Sequence, residues 1–169
     1  PGWRRHVTAG VFLLALAGLV IATARPTRDV KVPVERATVV MAIDTSLSMD
    51  ATDVAPSRLE AAQQAANRFV DLLPPSINLG LVTFNGTAQI AVAPTTDREA
   101  VRRAVDGLEL GESTATGEAI FASLDAIDTV PDDGTDEPVP ARVVLMSDGS
   151  RTVGRSEQAA AEAAIEQDV

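Results

Sequence analysis

The chain opens with one long uncharged run and then alternates short apolar stretches with amphipathic ones. Val7 to Ala24 (VTAGVFLLALAGLVIATA) carries no charge and lies between Trp3-Arg4-Arg5 and Arg25-Pro26-Thr27-Arg28. A bilayer core needs about 20 apolar residues with aromatic or basic anchors at its ends. The pattern predicts a juxtamembrane flank over 1–6, a transmembrane helix over 7–24 and a basic linker over 25–36, broken by Pro26 and Pro33. Phe12 would face lipid and Trp3 would sit at the interface. The competing readings are a buried core helix and a secretory leader, Ala22-Thr23-Ala24 resembling a cleavage site.

From residue 37 the periodicity changes. Ala37 to Ile43 is a short β-branched run, as a strand buried on both faces requires. Ser57-Arg58-Leu59-Glu60 fits a capping box opening a helix with Leu59, Ala62, Ala66, Phe69, Val70 and Leu73 on one face, and Pro74-Pro75 ends it. Leu79–Phe84 and Thr87–Val92 flank Asn85-Gly86, a strong hairpin signal. Thr96-Asp97-Arg98-Glu99 opens a helix with Val101, Ala104, Val105 and Leu108 inward. Another carries Ile120, Leu124 and Ile127. Pro131 to Pro140 is an acidic, Pro-broken loop, Arg142 to Ser147 a further buried strand, and an Ala-rich helix begins near Ser156.

Strands separated by helices imply right-handed crossovers. The expected fold is α/β: an open, doubly wound, mainly parallel sheet with one antiparallel edge strand, preceded by the transmembrane helix. Ligands of such sheets sit beyond the carboxyl ends of the strands, so the residues following the buried strands are the informative ones.

Charge and composition narrow the chemistry. The net charge is −10, with 14 Lys+Arg against 24 Asp+Glu. Residues 1–36 hold six basic and two acidic side chains, leaving eight basic against 22 acidic for 37–169. A domain so acidic repels phosphate backbones, which argues against nucleic-acid binding. With no Cys, disulfides and thiolate metal sites are excluded, and the single histidine, His6, lies outside the acidic part. Neither a Ser/His/Asp triad nor His-ligated zinc can form within 37–169.

Three segments stand at strand ends or helix starts. Asp44-Thr45-Ser46-Leu47-Ser48 follows the first strand, Asp148-Gly149 follows the later buried one, and Glu112-Ser113-Thr114-Ala115-Thr116-Gly117 opens a helix. Asp44 and Asp148 with the hydroxyls of Ser46, Ser48 and Thr114 are hard oxygen donors, suited to Mg²⁺, Mn²⁺ or Ca²⁺. Thr116 is read as a helix cap, and Asp50 and Asp53 as solvated or capping residues. Taken singly, each of these short motifs could be a capped turn.

Asp44-x-Ser46-x-Ser48, then Thr114, then Asp148-Gly149 resembles the metal-ion-dependent adhesion site of von Willebrand factor type A (VWA) domains. The runs Ser48–Leu59, Leu79–Phe84 and Pro94–Asp97 resemble bacterial VWA proteins of the aerotolerance (Bat) type and their uncharacterised actinobacterial branch. Leu47 stands where that family often has Gly, and Glu112-Ser113 where it has a Gly pair. The resemblance implies that Ser46, Ser48 and Thr114 ligate the ion through hydroxyls. Asp44 and Asp148 would act directly or through water, and a protein partner's Asp or Glu would complete the shell. It further implies a membrane-anchored, non-enzymatic binding module in cell-envelope complex assembly or maintenance, alongside a MoxR-type ATPase. With Arg4-Arg5 as the inner flank, the domain at 37–169 would be extracytoplasmic at the cell membrane. The family sheet has six strands and only four are legible here, so the domain is expected to lack its last strands, to be poorly stable alone and to associate through its open edge.

The enzymatic alternative is a Mg²⁺-dependent, phosphatase-like hydrolase with Asp44 as nucleophile. Haloacid-dehalogenase-type phosphatases want a second Asp two residues on, where this chain has Ser46, and a Lys, whereas Lys31 in the linker is the only one.

Overall fold

The structure is a computed structural model describing residues 2–23, 36–131, 139–149 and 151–169. The expectations for most of the 25–36 linker and of the 131–140 loop fall outside the described residues. Contacts divide the chain into two units, 1–33 and 34–169.

In the first unit the uncharged run forms helix α1 (Trp3–Thr23), 21 residues long. Val11, Phe12, Leu13 and Leu14 on it are exposed. The expected transmembrane helix over 7–24 is nevertheless corrected: among the described residues no helix is long and apolar enough to cross a membrane. The reason is arithmetic. The first four helical residues are Trp3-Arg4-Arg5-His6, so the uncharged part of the helix is 7–23. At about 1.5 Å per residue that part spans only about 25 Å, short of a hydrocarbon core of about 30 Å. The expected placement at the cell membrane, with an extracytoplasmic domain, loses its basis with that helix.

The second unit is built around strand β1 (Thr38–Asp44), in which all seven residues are buried. Successive side chains of a strand point to opposite faces, and β1 divides its apolar residues accordingly. Val39, Met41 and Ile43 pack with Ala66 and Val70 of α2 (Arg58–Leu72) and Val101 and Val105 of α3 (Arg98–Asp106). Val40 and Ala42 pack with Ala119 and Ala126 of α4 (Thr116–Asp128). Helices thus cover both faces, and Asp44 continues the row of Val40 and Ala42 to the end of the strand.

Strands β2 (Asn78–Phe84), β3 (Ala88–Thr95) and β4 (Ala141–Met146) complete a sheet of order β3-β2-β1-β4. β1 is parallel to β2 and β4, and β3 is antiparallel to β2. The open, mostly parallel sheet with one antiparallel edge is as expected. Strand β4 departs from its expected full burial: Arg142 and Leu145 are exposed, because among the described strands β4 pairs only with β1. Helix α5 (Glu157–Glu166) packs on α4.

The helix starts follow local chemistry. The hydroxyl of Ser57 accepts from the Glu60 amide at 3.2 Å, the first half of the expected capping box. At α3 the cap is Asp97 rather than Thr96, its carboxylate accepting from the Glu99 and Ala100 amides at 3.1 Å. A carboxylate beside the positive end of a helix is the stronger cap. Of the apolar residues expected on α4, Leu124 is buried and Ile120 and Ile127 are half-buried, Ile127 packing against the core, and Gly117, Ala119, Ser123 and Ala126 share the buried face. Small residues take the tightest layer because two neighbours, the sheet and α5, both press on this helix.

Candidate functional site

Three loops meet at the carboxyl end of the sheet. The first leaves β1 and turns into a short 3₁₀ helix at Leu47–Asp50. The second, 111–114, leads into α4, and the third, described at 147–149 and 151–153, follows β4. The parallel arrangement of β1 and β4 brings two of these loops to one end of the sheet, and backbone hydrogen bonds tie all three together. The Gly111 amide donates to the Thr45 carbonyl at 2.7 Å, and the Thr152 amide to the Thr114 carbonyl at 2.8 Å.

Asp44 is fully buried. Its Oδ1 accepts from the Ser46 amide at 2.8 Å and its Oδ2 from Ser147 Oγ at 2.6 Å. Among the described residues it has no ion pair. The Ser46 and Ser48 hydroxyls lie 2.9 Å apart, and Ser48 Oγ donates to Asp148 Oδ1 at 2.9 Å. Ser46 is buried, Ser48 is exposed and the Asp148 side chain is 12% exposed, so the row reaches the surface at Ser48. Leu47 turns outward and is exposed, which is why a side chain is tolerated there.

Four of the five sequence-derived residues are therefore brought together: Ser46, Ser48 and Asp148 by hydroxyl contacts, and Asp44 through its bond to the Ser46 amide. Thr114 is buried in the adjoining loop, its amide donating to Thr152 Oγ1 at 2.8 Å. Its hydroxyl is hydrogen-bonded to none of the other four. Thr116 is not the cap of α4; Ala115 holds that position, and the buried Thr116 hydroxyl has no hydrogen-bond partner among the described residues.

Three residues beyond the motif hold the site. Ser147, read from sequence as the last residue of a strand, anchors Asp44. Thr152 anchors Thr114. Arg58, read as part of a capping box, donates through Nη1 to Asp148 Oδ2, and through Nε and Nη2 to Asp53 at 2.7 Å each. These bonds hold the Asp53 carboxyl below its usual range and raise the already high pKa of the guanidinium. A charged Arg one residue after a helix cap is the signal that could have marked this contact. Beside Asp148 and Arg58 an apolar groove of about 400 Å³ opens between α2 and the end of β4.

One part of the metal expectation is corrected. Among the described residues no group of three or more His, Cys, Asp or Glu side chains gathers to form a metal-binding cluster. The physical reason lies in the donor set: only Asp44 and Asp148 are carboxylates, and the rest of the assembly consists of hydroxyls.

An α/β sheet that collects hydroxyls and carboxylates at its carboxyl end defines the class, and residues 39–150 match the von Willebrand factor type A domain family. The chain belongs to that family. It is 55% identical over 155 residues to a UPF0353 protein of Mycolicibacterium gilvum, covering 90% of this chain and 46% of that one. The chain thus spans about half the length of the curated relatives it matches. Among solved structures it resembles the conserved hypothetical protein BatB from Bacteroides thetaiotaomicron, with 32% identity and a TM-score of 0.67, covering 78% of this chain and 62% of that one. An aerotolerance-related membrane protein from Bacteroides fragilis is similar at 30% identity and the same TM-score, covering 78% and 63%. The chain thus shares its fold with Bat-like and actinobacterial VWA proteins.

Proposed function

We propose that this chain binds a protein partner through a divalent cation, Mg²⁺, Mn²⁺ or Ca²⁺, held by Asp44, Ser46, Ser48, Thr114 and Asp148. The observation that carries the reading is Asp44: a fully buried carboxylate with no positive partner among the described residues. Buried charges are ordinarily paired or bound to metal. The donors beside it are hard oxygens, which select such ions over zinc or copper. Two carboxylates among hydroxyls leave the ion with affinity to spare for an external acid, so a partner's Asp or Glu is the complementary group. The groove beside Asp148 leaves room for the residues flanking it. Participation of Thr114 requires its hydroxyl to turn toward Ser46 and Ser48. The wider setting, cell-envelope complex assembly or maintenance alongside a MoxR-type ATPase, rests on family resemblance and is part of the same proposal.

The test is calorimetric titration of Mn²⁺ and Mg²⁺ into the 169-residue chain, with Asp44→Ala and Ser46→Ala as controls. Heat of binding that disappears in both variants supports the reading. Binding that survives in both, or no binding at all, overturns it. Phosphatase turnover dependent on Asp44 would replace it with the hydrolase alternative.

A further inference from the structure

We propose that Arg58 is a built-in counter-cation of this site, which a divalent ion must displace electrostatically to claim Asp148; the inference rests on the cation reading above. The two carboxylates of the site are not equivalent. Among the described residues Asp44 has no positive partner, whereas Asp148 divides its oxygens between Ser48 Oγ, at 2.9 Å from Oδ1, and Arg58 Nη1, on Oδ2. The guanidinium stands one carboxylate away from the paired hydroxyls of Ser46 and Ser48. It is fixed there because its other edge is gripped by Asp53 in a two-bond fork. Such planar, bidentate pairing suits Arg and cannot be reproduced by Lys.

The pairing with Asp53 sets how strongly Arg58 acts. Asp53 is 57% exposed and Arg58 30% exposed, while the Asp148 side chain is only 12% exposed. The outer bond is therefore the more screened, and the inner bond acts through a less polar medium. Loss of the guanidinium leaves Asp148 its full charge for the dication, and affinity rises. Loss of the Asp53 charge leaves the guanidinium uncompensated beside the site, and affinity falls. Two substitutions on one ion-pair chain thus move the same constant in opposite directions, which mere structural damage would not do.

The experiment is Mn²⁺ titration by calorimetry at low salt on the 169-residue chain, its Arg58→Gln and Asp53→Asn variants, and Asp44→Ala. Arg58→Gln is expected to lower the Kd about tenfold and Asp53→Asn to raise it several-fold, both effects shrinking in high salt. Arg58→Lys, which keeps the charge without the fork, is expected to stay closer to the wild type than Arg58→Gln, and if the Gln variant fails to fold, the rise in Kd of Asp53→Asn provides the reading. Wild-type binding that needs Asp44 but is unmoved by Arg58→Gln and Asp53→Asn would overturn this inference alone. Weakening in both variants would overturn it too. Absence of Mn²⁺ binding to the wild type would overturn the cation reading and this inference with it.

Discussion

The hydroxyl of Ser147 donates to Oδ2 of Asp44 at 2.6 Å, joining residues 103 positions apart at the ends of β4 and β1. It is one of two hydrogen bonds compensating a fully buried carboxylate, the other coming from the Ser46 amide. Neither supplies a positive charge. Asp44→Asn should therefore remove a cost rather than a support when no dication is present. The Ser46 amide can still donate to the side-chain oxygen. The new amide can donate to Ser147 Oγ, whose proton can pass to the Gly149 carbonyl, 3.2 Å away. In EDTA the variant is expected to match or exceed the wild type by about 1 kcal/mol in urea unfolding. With Mn²⁺ present, only the wild type should gain stability, in proportion to the logarithm of free ion concentration. A loss of more than about 1 kcal/mol for the variant in EDTA would count against this view of Asp44.

Ser113 offers a second measurement. It lies in the left-handed region at φ 67°, immediately before Thr114, where a side chain costs about 1 kcal/mol that Gly avoids. Its loop is held from outside: the Gly86 amide of the β2–β3 turn donates to the Glu112 carbonyl at 2.8 Å. Ser113→Gly should relieve the strain while adding freedom to the unfolded chain, for a net gain of up to about 0.5 kcal/mol. Ser113→Val should lose at least about 1 kcal/mol. Urea midpoints of the three proteins at constant m-value would decide it.

Gly117 tests how closely α4 meets the segment leading into α5. A Cβ there would collide with the backbone carbonyl of Arg155, which has no side-chain freedom with which to yield. Gly117→Ala gains up to about 1 kcal/mol in helix propensity but forces the two segments apart, at about 1–3 kcal/mol. The expected outcome is a net loss of about 1–2 kcal/mol with faster amide exchange in α5 than in β1. Unchanged exchange in α5 would show that the segments adjust without separating.

Legibility in the sequence followed the strength of local signals. β1 was readable because burial on both faces demands an unbroken β-branched run, and α2 because its cap, apolar stripe and terminal prolines agree. The motif residues were readable because parallel strands deliver their following loops to one end of the sheet. Arg58, Ser147 and Thr152 were not, since contacts spanning 90, 103 and 38 positions leave no trace in periodicity. On α4 the apolar pattern marked Leu124, which is buried, and Ile127, which packs against the core, but the small Gly117, Ala119, Ser123 and Ala126 of the same face carry little apolar signal. The run at 7–24 was legible as a helix, but among the described residues no helix is long and apolar enough to cross a membrane.

The same α4–α5 junction has an acid dependence. Glu118 accepts from the Arg155 guanidinium at 2.6 Å and from the Arg155 amide at 2.9 Å. The side-chain bond and then the amide bond lower its pKa from 4.5 to about 2. Arg155 also lies over the Phe121 ring, 3.5 Å from its centroid, so the pair has a fixed seat on α4. A carboxylate depressed in the folded state stabilises fully above its unfolded value and loses that contribution as pH falls through the folded one. The advantage of the wild type over Glu118→Gln should thus be constant above about pH 5 and disappear between about 4.5 and 2. Because the Arg155 side chain is 54% exposed, the advantage is modest and should shrink in high salt. Thermal unfolding of both proteins across that pH range, at low and high ionic strength, provides the check. A difference that grew toward low pH would mean that the Gln variant relieves repulsion and that the pair does not hold the junction.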